Sequence, residues 1–229
     1  MPAKNTEKHY IPHGYYHIYN RGVEKRRIYM DEQDYGVFLS YLKEYLLLKD
    51  EKALRKRLAD STTSAGEKDR IIRLLRMNNF AEEISLLAYC LMPNHFHLLI
   101  KQRNEMAIDS FMSSLGTRYT QYFNRKYKRV GPLYQGVYKA VLVTFDEQLM
   151  HLSRYIHRNP LTLQGVTLKI LPQQSTSYAD FLGLRKTEWL HPESILSYFS
   201  QTISNLSYQA FVNQVDGGNI LHEVAIDLE

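Results

Sequence analysis

The sequence predicts an α+β protein built on a four-stranded antiparallel sheet. Two β-prone runs meet at a turn signal, Pro93-Asn94, and stretches with helical apolar spacing lie on either side of that pair. A further β-prone run lies near each end of this series. The resulting order is βαββαβ, which is typical of a ferredoxin-like sheet with its helices on one face.

The first strand and the first helix occupy residues 13–46. Residues 13–20 are aromatic and β-branched, so they predict the first strand, and Arg21-Gly22 ends it. An acidic first turn opens a helix at Asp31. The apolar stripe of this helix recurs at three- and four-residue spacing and consists of Tyr35, Phe38, Leu39, Leu42, Tyr45 and Leu46.

A charged segment separates that helix from the second strand. Residues 50–80 are helix-prone and are broken over residues 61–66, which predicts an inserted helical hairpin. Its Lys and Arg side chains either contact DNA or form a solvated surface, and a solvated surface is the more frequent case.

The remaining strands follow this insertion. Residues 84–91 and 95–101 predict the second and third strands, and apolar spacing over residues 106–127 predicts a second long helix. Gly131-Pro132 breaks the helix, and the alternation over residues 138–145 predicts the fourth strand. The third strand of a ferredoxin-like sheet is central, so side chains on it stand on a rigid platform.

The composition is that of an ordinary globular protein. The 229 residues are 44% hydrophobic and 23% charged, which suffices for one sizeable core. The single cysteine, Cys90, excludes an internal disulfide framework and a cysteine-rich zinc site. No apolar stretch has the length of a membrane span, and the first residues lack the apolar core of a signal peptide. We therefore expect a cytoplasmic protein without a membrane partner, associated with the nucleoid if it binds DNA.

Basic charge is concentrated in the first four fifths of the chain. Residues 1–186 carry 29 positive and 18 negative charges, a net +11, whereas residues 187–229 carry six acidic residues and no basic one. A basic body suits a polyanionic partner, and the 18 tyrosines offer stacking surfaces of the kind that single-stranded nucleic acid uses. A generic basic surface over a tyrosine-rich core explains the same composition equally well.

Two histidines open the predicted third strand. His95 and His97 are two positions apart, so their side chains share one face of the strand while Phe96 points to the other. Two neutral imidazoles in this arrangement can bind one divalent metal ion. Because such a pair is more often a solvent-facing pair of polar residues, it does not establish a metal site alone.

The helix after the fourth strand supplies residues that could complete such a site. Acidic residues open it at Asp146, and Pro160 limits it near Asn159. Its predicted buried stripe consists of Leu149, Leu152 and Ile156. Tyr155 and Asn159 are four residues apart and share a face, so an amide oxygen could join the imidazoles at a metal ion with a phenol beside it. His151 shares that face and is the rival third ligand.

Four segments of the sequence resemble, in order and spacing, the motifs of the REP-associated tyrosine transposases, a branch of the HUH single-strand nucleases with one catalytic tyrosine. The segments are Tyr16-His17-Ile18-Tyr19-Asn20-Arg21-Gly22, Ala88-Tyr89-Cys90-Leu91-Met92-Pro93-Asn94-His95-Phe96-His97-Leu98-Leu99, Arg118-Tyr119-Thr120-Gln121-Tyr122-Phe123-Asn124 and Arg154-Tyr155-Ile156-His157-Arg158-Asn159-Pro160. Thr176-Ser177-Tyr178 resembles a Ser-Ser-Tyr element of the family, so the resemblance spans about residues 13–182. Four ordered motifs make it specific, which His-Phe-His alone would not be.

The resemblance implies a metal-dependent enzyme that cuts and joins single-stranded DNA near hairpins by transesterification. Tyr155 is then the nucleophile that becomes linked to the 5′ phosphate. His95, His97 and Asn159 are the implied ligands of a divalent metal ion, Mg²⁺ or Mn²⁺. The implied partner is single-stranded DNA that carries a palindromic hairpin, and the protein acts as a monomer or a homodimer.

The same resemblance implies a set of DNA contacts. Arg21 and Arg27 follow the first strand, next to the third, and are expected to contact phosphate. The further expected contacts are Arg118, Asn124, Lys139, Arg154 and Arg158. Many members of the family have an arginine where this sequence has Val137, and Lys139 is the expected substitute. His157 lies off the face of Tyr155 and is expected to meet DNA or solvent.

We expect a catalytic domain over residues 1–160 and a mostly helical extension over residues 161–229. Two other functions stay open on the sequence. One is a regulator that binds DNA hairpins without cutting them. The other is a metal hydrolase in which the histidine pair activates water and Tyr155 only positions the substrate. The acidic segment 187–229 could also pack over the DNA groove and restrain activity.

Overall fold

The computed structural model of the protein describes residues 10–214, and a four-stranded antiparallel sheet forms its centre. The strands are Tyr15–Arg21 (β1), Ile84–Met92 (β2), His95–Gln102 (β3) and Lys139–Val143 (β4). Their order in the sheet is β2-β3-β1-β4, and each neighbouring pair is antiparallel. This is the predicted ferredoxin-like arrangement, with β3 in a central position.

The helices lie at the predicted positions in the chain, and further helices follow the last strand. They are Glu32–Leu46 (α1), Glu51–Ala59 (α2), Ala65–Arg76 (α3), Ala107–Lys126 (α4), Asp146–Arg158 (α5), Tyr178–Phe181 (α6), Glu193–Leu196 (α7) and Tyr208–Asn213 (α8). Short 3₁₀ turns lie at Val23–Lys25, Asn159–Thr162, Leu171–Gln173 and Ser204–Leu206. Within residues 10–214, no helix is long and apolar enough to cross a membrane. The first strand starts later than predicted because His13 has a left-handed φ of 60°, which a strand does not accept.

α1 and α4 cover one face of the sheet, as the βαββαβ order predicts. Phe96 and Leu98 of β3 point to that face and are at most 2% exposed. The Phe38 ring of α1 lies 5.5 Å from the Phe96 ring and 5.0 Å from the Tyr119 ring of α4, measured between centroids. Burial of each such side chain contributes about 1.5–3 kcal/mol, so this apolar layer is a main source of stability.

α5 covers the opposite face, together with segments that follow residue 160. The predicted stripe of Leu149, Leu152 and Ile156 is buried and belongs to one apolar cluster with Leu99 of β3. The later segments contribute Leu171, Tyr178, Ile195 and Tyr208 to the same cluster. The predicted domain boundary at residue 160 stays a prediction, and the chain on both sides of it shares this core. Of the acidic segment 187–229, residues 215–229 lie outside the described part.

α2 and α3 form the predicted inserted hairpin. Asp50 and Ser64 cap the two helices by accepting hydrogen bonds from the backbone N–H groups three residues ahead. Arg57 and Glu67 join the helices in an ion pair of 3.2 Å, and Ile71 is the buried residue of α3. The hairpin therefore presents a charged, mostly solvated surface, and contact with DNA stays a prediction for it.

A buried carboxylate joins the start of α1 to the end of α4. Asp34 accepts hydrogen bonds from Lys126 Nζ at 2.7 Å, Tyr127 Oη at 2.8 Å and Met30 N at 2.8 Å. Tyr122 Oη donates a fourth bond at 2.9 Å. Burial alone would raise the pKa of Asp34, but these hydrogen bonds, first the one from Lys126, outweigh burial and lower the pKa.

We expect Asp34→Asn to lower the free energy of unfolding near neutral pH by about 2 kcal/mol, because Lys126 then loses its buried carboxylate partner and keeps the exposed Asp31. Folding lowers the pKa of Asp34 below 3.8, so its stabilisation is complete above that value and is lost as the pH falls through the folded pKa. Urea unfolding of the wild type and of the variant between about pH 7 and pH 3 measures the difference in the free energy of unfolding. It should shrink towards zero in acid, and a difference independent of pH would contradict this account.

Candidate active site

Histidines of β3 and one face of β1 form the floor of a site that lies under α5. His95 is opposite Arg21 in the sheet, and His97 is opposite Tyr19. Because side chains alternate along a strand, both imidazoles face α5 while Phe96 packs into the core under α1 and α4. Both histidines are buried, with exposures of 8% for His95 and 0% for His97.

Asn159 lies between the two imidazoles. It follows the last residue of α5, and its backbone N–H donates to the carbonyl of Tyr155 one turn earlier. Its Oδ1 lies 3.3 Å from His95 Nε2, and its Nδ2 lies 3.3 Å from His97 Nε2. The structure therefore brings the three predicted metal ligands together, two from the central strand and one from the helix above it.

The outer nitrogen of His95 is held by Asn94. Asn94 Nδ2 donates to the carbonyl of Lys25 at 3.3 Å, which leaves its Oδ1 for His95 Nδ1 at 2.6 Å. An amide oxygen only accepts, so the ring proton of His95 is on Nδ1 and its Nε2 presents a lone pair. That lone pair faces Oδ1 of Asn159, and two such acceptors repel each other unless a cation lies between them.

This donor set fits a small divalent cation. Ligand atoms at right angles about 2.1 Å from one ion lie roughly 3 Å apart, close to the 3.3 Å between His95 Nε2 and Asn159 Oδ1. Within residues 10–214, no three His, Cys, Asp or Glu side chains are grouped to hold a metal ion, so an ion at the histidine pair would take the amide oxygen of Asn159 as a further ligand. Amide oxygen is a ligand type of Mg²⁺ and Mn²⁺, and imidazole is one of Zn²⁺ as well, so the ligand types alone agree with any of these three ions.

Burial keeps both imidazoles neutral near pH 7. It lowers the pKa of His95 to about 4, although the hydrogen bond with Asn159 raises that pKa in part. Burial also lowers the pKa of His97 well below 6.5, and the nearby rings of His17 and His95 and the charge of Arg21 lower it further. Only a neutral imidazole binds a metal ion, so the ligands are in the right form across the neutral range.

Tyr155 stands one helical turn before Asn159. The edge of its ring meets the His97 ring at 5.5 Å and the His17 ring at 6.3 Å between centroids. Burial raises the pKa of the Tyr155 phenol above 10.0, while a hydrogen bond with Asn159 and the charge of Arg21 lower it in part. The phenol is therefore next to the histidine pair and protonated at neutral pH, so it needs activation to act as a nucleophile.

The loop after β1 lies beside the histidine pair. Gly22 N donates to the carbonyl of Asn94 at 2.9 Å. A Cβ on Gly22 would lie 2.3 Å from the carbonyl oxygen of Arg26, so the motif needs glycine there. Arg21 is opposite His95, and Arg27 is exposed in the loop. The charge of Arg21 acts on His97, whereas that of Arg27 acts on Tyr35 of α1, and both residues stay predicted phosphate contacts.

Lys139 lies next to the part of β1 that adjoins the site. Two other predicted DNA contacts, Arg118 and Asn124, lie on α4. Lys139 is exposed at the start of β4, opposite Tyr19. Arg118 pairs with Glu44 at 2.5 Å, and Asn124 donates to the carbonyl of Gly131 at 2.9 Å. Because α4 packs on the other face of the sheet, Arg118 and Asn124 are not brought to the histidine pair.

Arg154 and Arg158 of α5 bind the end of α8. Arg154 is 5% exposed and donates to the carbonyl of Gln214. Arg158 Nη1 donates to the carbonyl of Val212 at 2.6 Å. The last carbonyls of a helix lack partners within it and readily accept such bonds. Both arginines stay predicted DNA contacts, and both are engaged inside the protein here.

Two histidines of α5 differ from their expected placement. His157, expected to meet DNA or solvent, is fully buried between Tyr208 Oη and Ser177 Oγ at 2.7 Å each. The reason is that the segments after residue 160 cover that side of α5. His151, the rival third ligand, packs against the Phe211 ring at 5.3 Å, whereas Asn159, directly after α5, contacts both imidazoles.

His17 and Asn94 are contacts of the histidine pair that the sequence analysis missed. Both lie inside the quoted motifs, but no role was predicted for either. The alternation of β1 puts His17 and Arg21 on one face, and this signal could have identified His17. Asn94 was interpreted only as a turn residue, and its bond to His95 depends on the loop that contains Lys25.

A sequence model of one protein family matches the part of the chain that carries this site. The family is described as IS200-like transposase, and the match covers residues 55–159. No curated protein matches the chain.

Two solved structures are similar to this chain at low sequence identity. One, described as a REP-associated tyrosine transposase bound to a REP hairpin, is 12% identical with a TM-score of 0.47 over 82% of this chain and 91% of that chain. The other, a proposed transposase from Deinococcus radiodurans, is 16% identical with a TM-score of 0.28 over 67% of this chain and 96% of that chain. The family match over residues 55–159 contains both histidines, the tyrosine and the asparagine, so this part of the chain is similar to IS200-like transposases.

Proposed function

We propose that this protein is a transposase that cuts and joins single-stranded DNA beside a hairpin, with Tyr155 as the nucleophile and a 5′-phosphotyrosine intermediate. The placement of Asn159 is the observation that supports this most. Its side chain contacts the Nε2 atoms of both His95 and His97 at 3.3 Å. Because Tyr155 lies one turn earlier on α5, the residue that completes the donor set also fixes where the phenol stands.

In the proposed reaction the Tyr155 oxygen attacks a backbone phosphorus atom. A phosphorus–oxygen bond to the phenol forms, the bond to the 3′ oxygen breaks, and that oxygen leaves as a 3′ hydroxyl after taking up a proton. Joining is the reverse reaction, in which a 3′ hydroxyl of another strand attacks and the phenol leaves. The phosphodiester energy is kept in the tyrosine ester, so the reaction needs no nucleotide cofactor.

His95, His97 and Asn159 would hold the Mg²⁺ or Mn²⁺ ion. When bound, this ion polarises the scissile phosphate and stabilises the charge of the transition state. The hydrogen bond from the outer nitrogen of His95 to Asn94 fixes the orientation of that ring. Burial raises the pKa of Tyr155, and the hydrogen bond with Asn159 and the charge of Arg21 offset part of that rise.

Single-stranded DNA next to a palindromic hairpin is the proposed substrate. The four sequence motifs support this substrate, and so does the net charge of +11 over residues 1–186. The proposed phosphate contacts are Arg21, which is opposite His95, Lys139, which is opposite Tyr19, and Arg27 in the exposed loop after β1. Both a monomer and a homodimer agree with this proposal.

A pair of end-labelled oligonucleotides tests the proposed function. One carries a hairpin with single-stranded flanks, and the other has the same composition without a palindrome. With Mn²⁺ present, we expect cleavage and a covalent protein–DNA band on the hairpin substrate only. Tight binding without cleavage would favour the regulator, and cleavage without a covalent band would favour the metal hydrolase.

The cleavage rate should rise with pH. Burial raises the pKa of Tyr155 above 10.0, so the phenolate is a minor species whose fraction increases about tenfold per pH unit. The pKa of His95 is about 4, so loss of the metal ligands does not contribute in the neutral range. Single-turnover cleavage between about pH 6.5 and pH 8.5 should give a slope near one in the logarithm of the rate. A rate that is flat or falls over this range would contradict attack by the phenolate.

A further inference from the structure

His17 is a buried ring beside the site, and the proposed reaction assigns it no step. It lies on β1 and is 1% exposed. Its Nε2 lies 2.9 Å from His97 Nδ1, and the two rings stack with centroids 5.1 Å apart and planes 18° apart. His17 therefore contacts the outer nitrogen of a proposed metal ligand directly.

The direction of this hydrogen bond decides what His97 can bind. A neutral imidazole carries one ring proton. If His97 Nδ1 donates to His17, Nε2 of His97 presents a lone pair, and if His17 donates, that Nε2 carries the proton and cannot bind an ion. Asn159 Nδ2 lies 3.3 Å from His97 Nε2, and an amide N–H needs a lone pair opposite it. The placement of Asn159 thus favours the direction in which His17 accepts.

We infer that His17 is a positioning residue for His97, which accepts the Nδ1 proton and keeps Nε2 directed at the metal ion. The inference rests on the proposed function, because it assumes the metal site there. His95 has the same arrangement, with Asn94 Oδ1 as the acceptor at 2.6 Å from its Nδ1. Such outer partners fix the ring and its tautomer, and their loss costs about 10- to 100-fold in metal affinity or activity.

The surroundings of His17 Nδ1 allow the positioning role to be distinguished from a purely structural one. Within residues 10–214, His17 Nδ1 is buried without a hydrogen-bond partner. A buried polar atom without a partner costs stability, so an apolar side chain at this position removes a cost along with the bond to His97. A structural role predicts a large loss of stability in such a variant. The positioning role predicts a loss of metal affinity with a small change in stability.

Calorimetric titration of the full chain with Mn²⁺, without DNA, tests the inference. We expect His17→Leu to weaken Mn²⁺ binding about 10- to 100-fold. His17→Gln, whose amide oxygen can accept near the position of Nε2, should restore most of the affinity. Cys90→Ala is the matched control, because Cys90 is opposite His97 on the other neighbouring strand and is fully buried. It should bind Mn²⁺ like the wild type.

The possible outcomes separate the inference from the proposed function. Wild-type affinity in His17→Leu, or an equal loss in Cys90→Ala, would overturn the role of His17. A wild-type chain that does not bind Mn²⁺ would overturn the metal site itself, and the inference with it. If His17→Leu does not fold, nitrogen NMR of the metal-free wild type decides. We expect the His97 ring proton on Nδ1, and a proton on Nε2 would overturn the inference.

Discussion

Replacing Tyr155 with phenylalanine should abolish cleavage of hairpin-bearing single-stranded DNA, with a rate lower by about 10³-fold or more. The change removes only the phenolic oxygen, so the ring keeps its contact with His97 at 5.5 Å and α5 keeps its packing. Binding of DNA and of Mn²⁺ should therefore stay at the wild-type level. Single-turnover cleavage, with DNA binding measured in parallel by fluorescence anisotropy, separates chemistry from binding.

Tyr15→Phe is the matched control for this variant. Tyr15 lies on β1, two residues before His17 and therefore on the same face of the sheet. It should cleave like the wild type. Cleavage at the wild-type rate in Tyr155→Phe would exclude the phenol as the nucleophile. A loss of cleavage that comes with an equal loss of DNA binding would assign Tyr155 to substrate binding instead.

Replacing His95 with alanine should remove Mn²⁺ binding and lower the cleavage rate by about 10³-fold. Loss of one imidazole leaves His97 and Asn159 as ligands, which is too few for a stable site. DNA binding in the presence of a chelator should not change, because the proposed phosphate contacts are other residues. Calorimetry with Mn²⁺ and single-turnover cleavage measure the two effects.

His151→Ala is the control for the histidine change. His151 lies on α5 like Tyr155 but packs against Phe211 rather than the histidine pair. We expect both Mn²⁺ binding and cleavage to survive in this variant. If His151→Ala lost Mn²⁺ binding and His95→Ala retained it, the metal site would not lie on β3.

The order of the elements could be predicted because each has a strong local period. The apolar stripe of α1 and the alternating pattern of β3 reflect which of their side chains are buried against the two faces of the sheet. The pairing of Tyr155 with Asn159 was also visible, since a spacing of four residues brings side chains together on any helix. These features depend on a few neighbouring residues, which a sequence displays directly.

Features that depend on distant segments could not be predicted in the same way. His157 is buried because Ser177 and Tyr208, which come later in the chain, bond to its two ring nitrogens. Arg154 and Arg158 bind carbonyls at the end of α8, and no local pattern indicates where that helix docks. The contact between His17 and His97 requires the register of β1 on β3, which the alternation of each strand alone does not fix.

Identifying what is bonded to the 5′ phosphate after cleavage tests most directly whether Tyr155 attacks the phosphate. The hairpin substrate is cleaved in H₂¹⁸O with Mn²⁺, the protein is digested, and both the peptides and the released DNA are analysed by mass spectrometry. The account predicts a peptide that carries DNA through a 5′ phosphate on Tyr155, with no heavy oxygen in that phosphate. A free 5′ phosphate that contains one heavy oxygen, with no DNA on Tyr155, would show that water attacks and would contradict the account.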